Sequence, residues 1–310
     1  MNLGTAASFV IAGHAVIDYV LDKPNQIQPR QSLGGGFSYS CMTLKSLGKR
    51  PIPVTKVGED LPSQYFDMFQ QQMELDLVRF ICPNEKTTSF NIDRTFDPRK
   101  MWLTHYCKNL SFADFKANAL LDSSKSLMVS TVAGEISLSL LDRITKEFQV
   151  VYLDSQGFVR HFSAKDGAMR LRNGLDISAF SGVNFLKADR SEICALCGSK
   201  DIASAISQIS RFVDYIILTA GSEDVKLYEG SKLKMKAKPL NVNVIDTTGA
   251  GDIFLSVFAL ADQEGEKLEQ SLALGVAASS ISVEKTGLQK AKFDRAKLEV
   301  LSKRVLVSRN

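Results

Sequence analysis

Short apolar runs alternate with segments of helical periodicity along most of this chain. Runs typical of buried strands lie at 8–13, 51–58, 126–130, 149–154, 182–188 and 213–221. Helical spacing of apolar residues is found near 36–47, 62–74, 135–147, 190–197, 201–211, 250–262, 267–284 and 294–303. This alternation predicts an α/β fold, a doubly wound and mostly parallel sheet with helices on both faces.

The pattern changes between about 86 and 107, where two β-rich stretches flank a turn at Asp97-Pro98. Two strands with a turn inside an otherwise β/α chain indicate a small sheet outside the main one. No internal repeat, low-complexity tract or Pro/Gly-rich linker divides the chain. We therefore expect a single domain over residues 1–310, with ligands bound beyond the carboxyl ends of the main-sheet strands.

Composition excludes several classes of protein. Of the 310 residues, 45% are hydrophobic and 23% charged, as in soluble globular proteins. The net charge of +4 is too small to indicate nucleic-acid binding, and the alternating lysines over 232–238 fit a strand with one solvated face. No run reaches the ~18 apolar residues of a membrane span, and no basic leader precedes the first strand. We expect a cytoplasmic protein without nucleic-acid or membrane partners.

Five cysteines at irregular spacing favour reduced thiols, which also fits a cytoplasmic protein. Cys194 and Cys197 form a CxxC pair, but no second pair of Cys or His stands near them. Two cysteines on one face of a helix are therefore favoured over a zinc or redox site.

The segment from Asp246 to Asp252 indicates phosphate chemistry. It reads Asp-Thr-Thr-Gly-Ala-Gly-Asp and opens a helix. Small residues let a ligand approach the backbone, and free N–H groups at a helix N-terminus attract an anion such as phosphate. Asp252 in the first turn is well placed to accept a proton from a nucleophile that attacks this anion. The alternative is an Asp that merely favours a helix N-terminus.

A second glycine-rich segment, Gly34–Gly36, opens the helix near 36–47. Neither glycine segment is a P-loop, and neither has the GxGxxG spacing of a dinucleotide fold. Together they resemble the two motif regions of the ribokinase-like (PfkB) carbohydrate kinases. The features in family order are Asp18 after the first strand, the Gly34-Gly35 helix, VTKVGED at 54–60, a β-rich segment, the turn Thr219-Ala-Gly221 and the block ending in Asp252.

The resemblance covers nearly the whole chain and implies a doubly wound domain with a small β lid, here from about 16–33 and 86–107. It implies transfer of the γ-phosphate of ATP to a hydroxyl of a sugar, polyol or nucleoside. Asp252 matches the family's base, and the backbone N–H groups of Gly249, Ala250 and Gly251 match its anion hole. The remaining matches are Thr219 and Gly221 along the nucleotide, Ala278 and Gly287 at the adenine slot, and Asp246 and Thr248 at positions that hold a monovalent cation such as K⁺ in some members.

One departure from the family pattern concerns the metal. The family usually has Asn-x-x-Glu after a central strand, where this chain has Asp189-Arg-Ser-Glu192. Carboxylates three residues apart share a helix face, and two carboxylates suit Mg²⁺, which keeps its waters and bridges phosphates. The alternative is an ordinary helix N-terminus with acidic residues.

A second departure concerns the acceptor. Tyr39 stands where many sugar kinases of the family have Asn. The pattern formed by Tyr39, GHxxxD at 13–18 and DxQGFxR at 154–160 resembles that of the branch that includes myo-inositol kinases and archaeal relatives. The residues expected to hold the acceptor are Asp18, Gly34, Gly35, Tyr39 and Arg160. The alternatives to a role in acceptor binding are a packed histidine for His14 and a surface or ion-paired arginine for Arg160.

We expect an ATP- and Mg²⁺-dependent kinase that acts on a small sugar or polyol such as myo-inositol, with a lid that closes and excludes water. A nucleoside is the alternative acceptor, since Phe37, Tyr39 or Trp102 could stack on a base. A non-catalytic sugar-binding or regulatory protein is disfavoured by the intact 246–252 block. Pairing of exposed lid strands would give a homodimer.

Overall fold

The computed structural model describes residues 9–96, 99–116 and 126–309, so the turn expected at Asp97-Pro98 lies outside it. Its strands are β1 (Phe9–Ala12), β2 (Val16–Leu21), β3 (Arg30–Gly34), β4 (Ile52–Val54), β5 (Val57–Gly58), β6 (Ile81–Cys82), β7 (Ser89–Asp93), β8 (Lys100–His105), β9 (Ser126–Val129), β10 (Val150–Asp154), β11 (Arg160–Phe162), β12 (Met169–Leu171), β13 (Val183–Asp189), β14 (Val213–Thr219), β15 (Val225–Glu229), β16 (Lys232–Ala237) and β17 (Val307–Arg309). Its α-helices are α1 (Gly36–Ser46), α2 (Ser63–Met73), α3 (Phe112–Lys116), α4 (Leu138–Ile144), α5 (Gln156–Val159), α6 (Arg190–Cys197), α7 (Ile202–Ile209), α8 (Ala250–Gln263), α9 (Leu268–Ser282) and α10 (Arg295–Ser302).

Within the described residues, the main sheet has nine strands in the order β17-β16-β15-β14-β13-β10-β9-β1-β4. The strands from β14 to β4 run parallel to one another. The strands β15, β16 and β17 extend the sheet in antiparallel pairs. The mostly parallel α/β sheet predicted from the sequence is confirmed.

The first strand explains why helices cover both faces of this sheet. Phe9 and Ile11 belong to one apolar core, which α1, α8 and α9 also line. Val10 and Ala12 belong to a second core, which α4, α6 and α7 line. Because successive side chains of a strand point to opposite faces, a run that is apolar at every position is buried only between two helix layers.

A second sheet has four strands in the order β3-β2-β7-β8 and encloses its own apolar cluster. It is built from the two stretches, 16–33 and 86–107, in which a small sheet was expected. The sequence suggested that Asp18 ends the first strand. In the structure it is the third residue of β2 in this second sheet. The chain leaves the main sheet at Gly13, where a Cβ would lie 2.4 Å from the carbonyl oxygen of Ser130.

The run at 51–58 was expected to form one strand, but it divides between two sheets. Its first part, β4, pairs with β1, whereas β5 pairs with β6. All five cysteines are free, and Cys194 and Cys197 both pack against one core from α6, as two cysteines on a helix face. Among the residues described, no helix is long and apolar enough to cross a membrane.

Candidate active site

Asp252 lies in the first turn of α8, where Gly249 adopts the left-handed backbone conformation that favours glycine, with φ 75°. The carboxylate is only 7% exposed, and Gln156 donates its Nε2–H to Asp252 Oδ1 at 3.2 Å. A Cβ on Gly36 would lie 2.5 Å from the same oxygen, so a side chain there would displace the carboxylate. The carboxylate therefore lies between the glycine that begins α1, Gly36, and the glycine that precedes α8, Gly249.

Burial raises the pKa of Asp252 to about 7. The charge of Asp154 adds to the rise, while Lys187 and Arg160 oppose it. A carboxyl group with a pKa near neutrality is suited to take a proton in one step and release it in the next.

A cavity faces Asp252 and extends between the glycine-rich helix starts and the second sheet. Its walls are formed by Asp18, Gly35, Gly36, Tyr39, Phe90, Ile92, Arg99, Met101, Val132, Gln156, Arg160, Thr248, Gly249 and Asp252. Asp18, Tyr39, Arg160 and Asp252, which the sequence analysis picked from distant segments, thus meet at one cavity.

Asp18 is 5% exposed and packs directly against the first glycine segment. A Cβ on Gly34 would lie 1.9 Å from Asp18 Oδ2, so only glycine leaves room for this carboxylate. Burial raises the pKa of Asp18 to about 6, and Arg99 and Arg94 limit the rise. The group is therefore mostly ionised above neutral pH and can accept hydrogen bonds from hydroxyls.

Tyr39 is 3% exposed and packs against the second glycine segment, because a Cβ on Gly249 would lie 2.6 Å from its ring. Burial raises the pKa of its hydroxyl far above the usual range, so the group stays protonated. The N–H of Ala250 donates to the carbonyl of Thr247 at 3.2 Å and is not free, in contrast to the sequence expectation. Within the described residues, the N–H groups of Gly249 and Gly251 have no backbone acceptor.

Lys187 is a site residue that the sequence analysis missed. Its Nζ donates to Asp154 Oδ2 at 2.7 Å, and a Cβ on Gly251 would lie 2.5 Å from the same Nζ. Burial alone would lower the pKa of Lys187, but Asp154, Glu192 and Asp252 raise it above its ordinary value. A charged ammonium thus lies directly beside the glycine turn. The available signal was a Lys and an Asp at the ends of two predicted buried strands.

Two arginines that the sequence did not single out reach the same turn, Arg94 directly after β7 and Arg99 directly before β8. Arg94 donates from Nη2 to Asp246 Oδ1 and to Thr248 Oγ1, both at 2.7 Å. Arg99 donates from Nη1 to Thr248 Oγ1 at 2.8 Å. No sequence signal joins residues about 150 positions apart, because only the packing of the second sheet on the main one brings them together.

The expected carboxylate pair on one helix face is not formed. Asp189 precedes α6 as its N-cap, and Asp189 Oδ1 accepts the N–H of Glu192 at 2.7 Å. Glu192 Oε2 in turn accepts the N–H of Asp189 at 3.0 Å, which completes a capping box. Glu192 is buried, burial raises its pKa, and its Oε1 lies 3.8 Å from Arg160 Nη2. Across the part of the chain described, no group of three or more His, Cys, Asp or Glu could hold a metal.

The predicted nucleotide residues, all within the described chain, are not among the walls of the cavity that faces Asp252. Thr219 ends β14, and Gly221 and Gly287 occupy turns with positive φ and open space around them. Ala278 is 0% exposed inside the core, and its place at an adenine slot stays a prediction. The apolar residues Val244 and Ile245, 59% and 57% exposed just before Asp246, were overlooked.

His14 is a packed histidine, the alternative given above. Its Nδ1 is 2.8 Å from Thr88 Oγ1, and its Nε2 is 3.0 Å from the carbonyl oxygen of Lys108. Both ring nitrogens are thus engaged away from Asp252, and burial lowers the pKa of the ring.

A buried carboxylate at a glycine-rich helix start, facing a cavity, is suited to the transfer of a phosphoryl group to a hydroxyl. Comparison with known proteins gives the family. The pfkB family of carbohydrate kinases matches residues 6–294, so the chain belongs to that family and is a phosphotransferase with an alcohol group as acceptor.

Individual relatives differ in their acceptors. The chain is 27% identical over 278 residues to the inositol 3-kinase of Arabidopsis thaliana, covering 87% of this chain and 72% of that protein. It is 23% identical to the cytidine kinase of Thermococcus kodakarensis, covering 86% and 92%. The ribokinase of Arabidopsis thaliana, solved with ribose and ATP, matches with a TM-score of 0.73 at 18% identity, covering 96% and 99%.

Proposed function

We propose that this protein is an ATP- and Mg²⁺-dependent kinase that phosphorylates a hydroxyl of a small sugar or polyol, with a cyclic polyol such as myo-inositol as the favoured acceptor. The observation that carries the proposal is the buried carboxylate of Asp252 beside the glycine turn, across one cavity from the carboxylate of Asp18. Similarity to an inositol kinase over most of the chain supports the acceptor class.

Asp252 is proposed as the general base. It accepts the proton of the acceptor hydroxyl, whose oxygen forms a bond to the γ-phosphorus while the bond to the bridging oxygen of ADP breaks. The Nε2–H of Gln156 orients Asp252 Oδ1. A pKa of about 7 lets the carboxylate hold this proton and then release it to solvent when the product leaves.

The transferred phosphoryl group would lie at the start of α8. The N–H groups of Gly249 and Gly251 supply hydrogen-bond donors there, and the positive end of the helix dipole adds to them. The ammonium of Lys187, next to Gly251 and paired with Asp154, supplies a further donor with positive charge. Phosphoryl transfer is catalysed mainly by positioning and charge neutralisation, which these groups provide.

The nucleotide would extend from this turn towards Thr219 and Gly221. Val244 and Ile245 offer an exposed apolar surface next to the turn, and we assign them the packing of the adenine base. Glu192, whose Oε1 lies 3.8 Å from Arg160, is the carboxylate that would hold Mg²⁺ through its waters, since magnesium binds few protein groups directly. Bound Mg²⁺ would neutralise charge on the phosphates.

The acceptor would lie between Asp18, Tyr39 and Asp252. The carboxylate of Asp18 accepts hydrogen bonds from two adjacent hydroxyls, and the hydroxyl of Tyr39 narrows the cavity. Arg160 and Arg99 offer guanidinium donors to further hydroxyls, since Arg99 has a single hydrogen bond and Arg160 only an ion pair at 3.8 Å within the described chain. A cyclic polyol carries hydroxyls around its whole ring and can use all these groups.

The second sheet is proposed as a lid on the single kinase domain. It contributes Asp18 to the cavity, and Arg99 lines the cavity from directly before β8, so closure would complete the acceptor site and exclude water. The strands β3 and β8 are its outer strands, but Trp102 of β8 bridges Ala168, and the N–H of Leu103 donates to the carbonyl of Gly167 at 2.9 Å. Pairing of the β3 edge with a second copy would give a homodimer.

A nucleoside is the second candidate acceptor. The apolar residues Phe90, Ile92 and Met101 line the lid side of the cavity and could pack on a base. The similarity to a cytidine kinase over 92% of that protein points the same way.

A screen coupled to ADP release tests the proposal. The panel contains myo-inositol, ribose, fructose, adenosine, guanosine and cytidine, with the Asp252→Asn protein as the blank. The highest kcat/KM for a polyol or sugar supports the proposal. A clear preference for a nucleoside refutes the polyol assignment, and no ADP release above the blank refutes the kinase site.

A further inference from the structure

Lys290 places a buried ammonium under the loop formed by residues 246–249. It lies in a 3₁₀ turn, Leu288–Ala291, and its side chain is 0% exposed. Its Nζ donates to the carbonyl oxygen of Asp246 at 2.7 Å and lies 3.5 Å from Asp246 Oδ2. No other acceptor for this ammonium occurs in the described chain. A buried ammonium is costly unless it is paired, so Asp246 is the group that keeps Lys290 in place.

The ammonium, an aromatic ring and the glycine turn form one packed unit. Lys290 Nζ lies 5.9 Å from the centre of the Tyr39 ring, within range of a cation–π contact. The same ring leaves no room for a Cβ at Gly249. The position of the free N–H groups in the turn therefore depends on the packing of Lys290 beneath it.

A monovalent metal ion at Asp246 and Thr248 does not fit this arrangement. Asp246 Oδ1 accepts from Arg94 and from the N–H of Thr248, while the carbonyl oxygen and Oδ2 face Lys290. Thr248 Oγ1 accepts from Arg94 and Arg99. An added ion would have to displace these donors and would lie beside three positive charges at low dielectric. These contacts do not favour the K⁺ site that the family resemblance implies at Asp246 and Thr248.

We propose that the ammonium of Lys290 supplies the cation that fixes the loop 246–249, so that phosphoryl transfer needs no added monovalent cation. Lys290 is a positioning residue, because it acts through Asp246 and touches no reacting atom. The inference rests on the proposed kinase function for its kinetic consequence. Its effect on loop stability can be measured without any acceptor.

The first test uses the full-length wild-type chain at constant ionic strength. Thermal unfolding and kcat are measured in tetramethylammonium chloride and again as K⁺, NH₄⁺ or Na⁺ replaces it. We expect Tm and kcat to stay unchanged. A saturable rise of either quantity with K⁺ would overturn the proposal, since a bound ion stabilises the state that binds it.

The second test substitutes Lys290→Met, which keeps the apolar stem and removes the charge. We expect a lower Tm and a loss in kcat of about 10²-fold, the effect of a 1 Å misplacement at a reacting centre. Both should be partly restored, with saturation, by K⁺ or NH₄⁺ but not by tetramethylammonium. A merely structural lysine would give no cation-selective rescue.

Lys292→Met is the matched control, because it removes an exposed ammonium from the same segment. It should change neither Tm nor kcat and should show no cation response. A folded Lys290→Met protein with normal kcat, or without selective rescue, contradicts the proposal. If Lys290→Met does not fold, the wild-type cation titration alone decides. Failure of the kinase function is distinguishable, because it appears as inactivity on every acceptor, whereas the Tm titration is independent of the acceptor.

Discussion

Replacing Asp252 by Asn is the most direct perturbation of the proposed chemistry. The amide has nearly the shape of the carboxylate, and its oxygen can still accept the Nε2–H of Gln156. Removal of a buried negative charge whose pKa is already raised should not destabilise the fold. What the variant loses is the ability to accept a proton from the acceptor hydroxyl.

The magnitude follows from this single role. Loss of a general base lowers kcat by about 10²–10⁴-fold, or about 3–5.5 kcal/mol at ~1.4 kcal/mol per factor of ten. The KM for ATP should change little, because Asn leaves the N–H groups of Gly249 and Gly251 and the ammonium of Lys187 in place. The loss should therefore be confined to turnover and to kcat/KM for the acceptor.

The assay is the pH dependence of kcat/KM for the acceptor. Burial raises the pKa of Asp252 to about 7, so the base is protonated and inactive below this pH. The wild-type rate should rise with pH up to about 7 and then level off, and this limb should be absent from Asp252→Asn. Asp262→Asn is the control. Asp262 lies on the same helix, but it accepts a hydrogen bond from the hydroxyl of Tyr152 and does not line the cavity.

Near-normal turnover by a folded Asp252→Asn protein would refute the base assignment. So would an unchanged acidic limb in the variant, because the titrating group would then lie elsewhere. A loss of the same size in Asp262→Asn would show that any change in α8 disturbs the site.

Five further substitutions test other parts of the site. Glu192→Gln should raise the Mg²⁺ concentration that gives half-maximal rate. Asp189→Asn should change this concentration little, because Asn caps helices as well as Asp. A larger effect of Asp189→Asn than of Glu192→Gln would contradict the magnesium role of Glu192. Asp18→Asn should cost about 1–3 kcal/mol of acceptor binding, or roughly 5- to 150-fold in kcat/KM, and an unaffected variant removes Asp18 from the site. Gly249→Ala should lower kcat by about 10²-fold because a Cβ meets the aromatic ring 2.6 Å away. Gly265→Ala, also at positive φ but with open space around it, should lose only a little Tm and keep its kcat.

The main sheet was predictable because its strands are apolar at every position. A run such as Phe9–Ala12 is buried on both faces, and such runs recur at the spacing of β/α units. The turns at Gly34 and Gly249 were also predictable, because glycine-rich segments directly before a helical pattern are typical of such turns. The glycine pattern does not reveal the contact that requires each glycine, which is with Asp18 at Gly34 and with Tyr39 at Gly249.

Side chains that meet only through tertiary packing could not be predicted. Arg94 and Asp246 are 152 positions apart, and no local pattern joins them. The spacing of Asp189 and Glu192 has two physical explanations, a metal-binding face and a capping box, and the backbone geometry at Asp189 selects the second. Lys290 was missed because one buried lysine in a polar segment looks like any exposed lysine in the sequence.

The central claim is that this site moves the γ-phosphate of ATP to a hydroxyl of a sugar or polyol. The most direct measurement follows labelled γ-phosphate in a single turnover, with myo-inositol and cytidine present together as competing acceptors. We expect a labelled phosphate monoester of the polyol with wild-type enzyme and none with Asp252→Asn. Label found in cytidine monophosphate, or only in free phosphate, would contradict it.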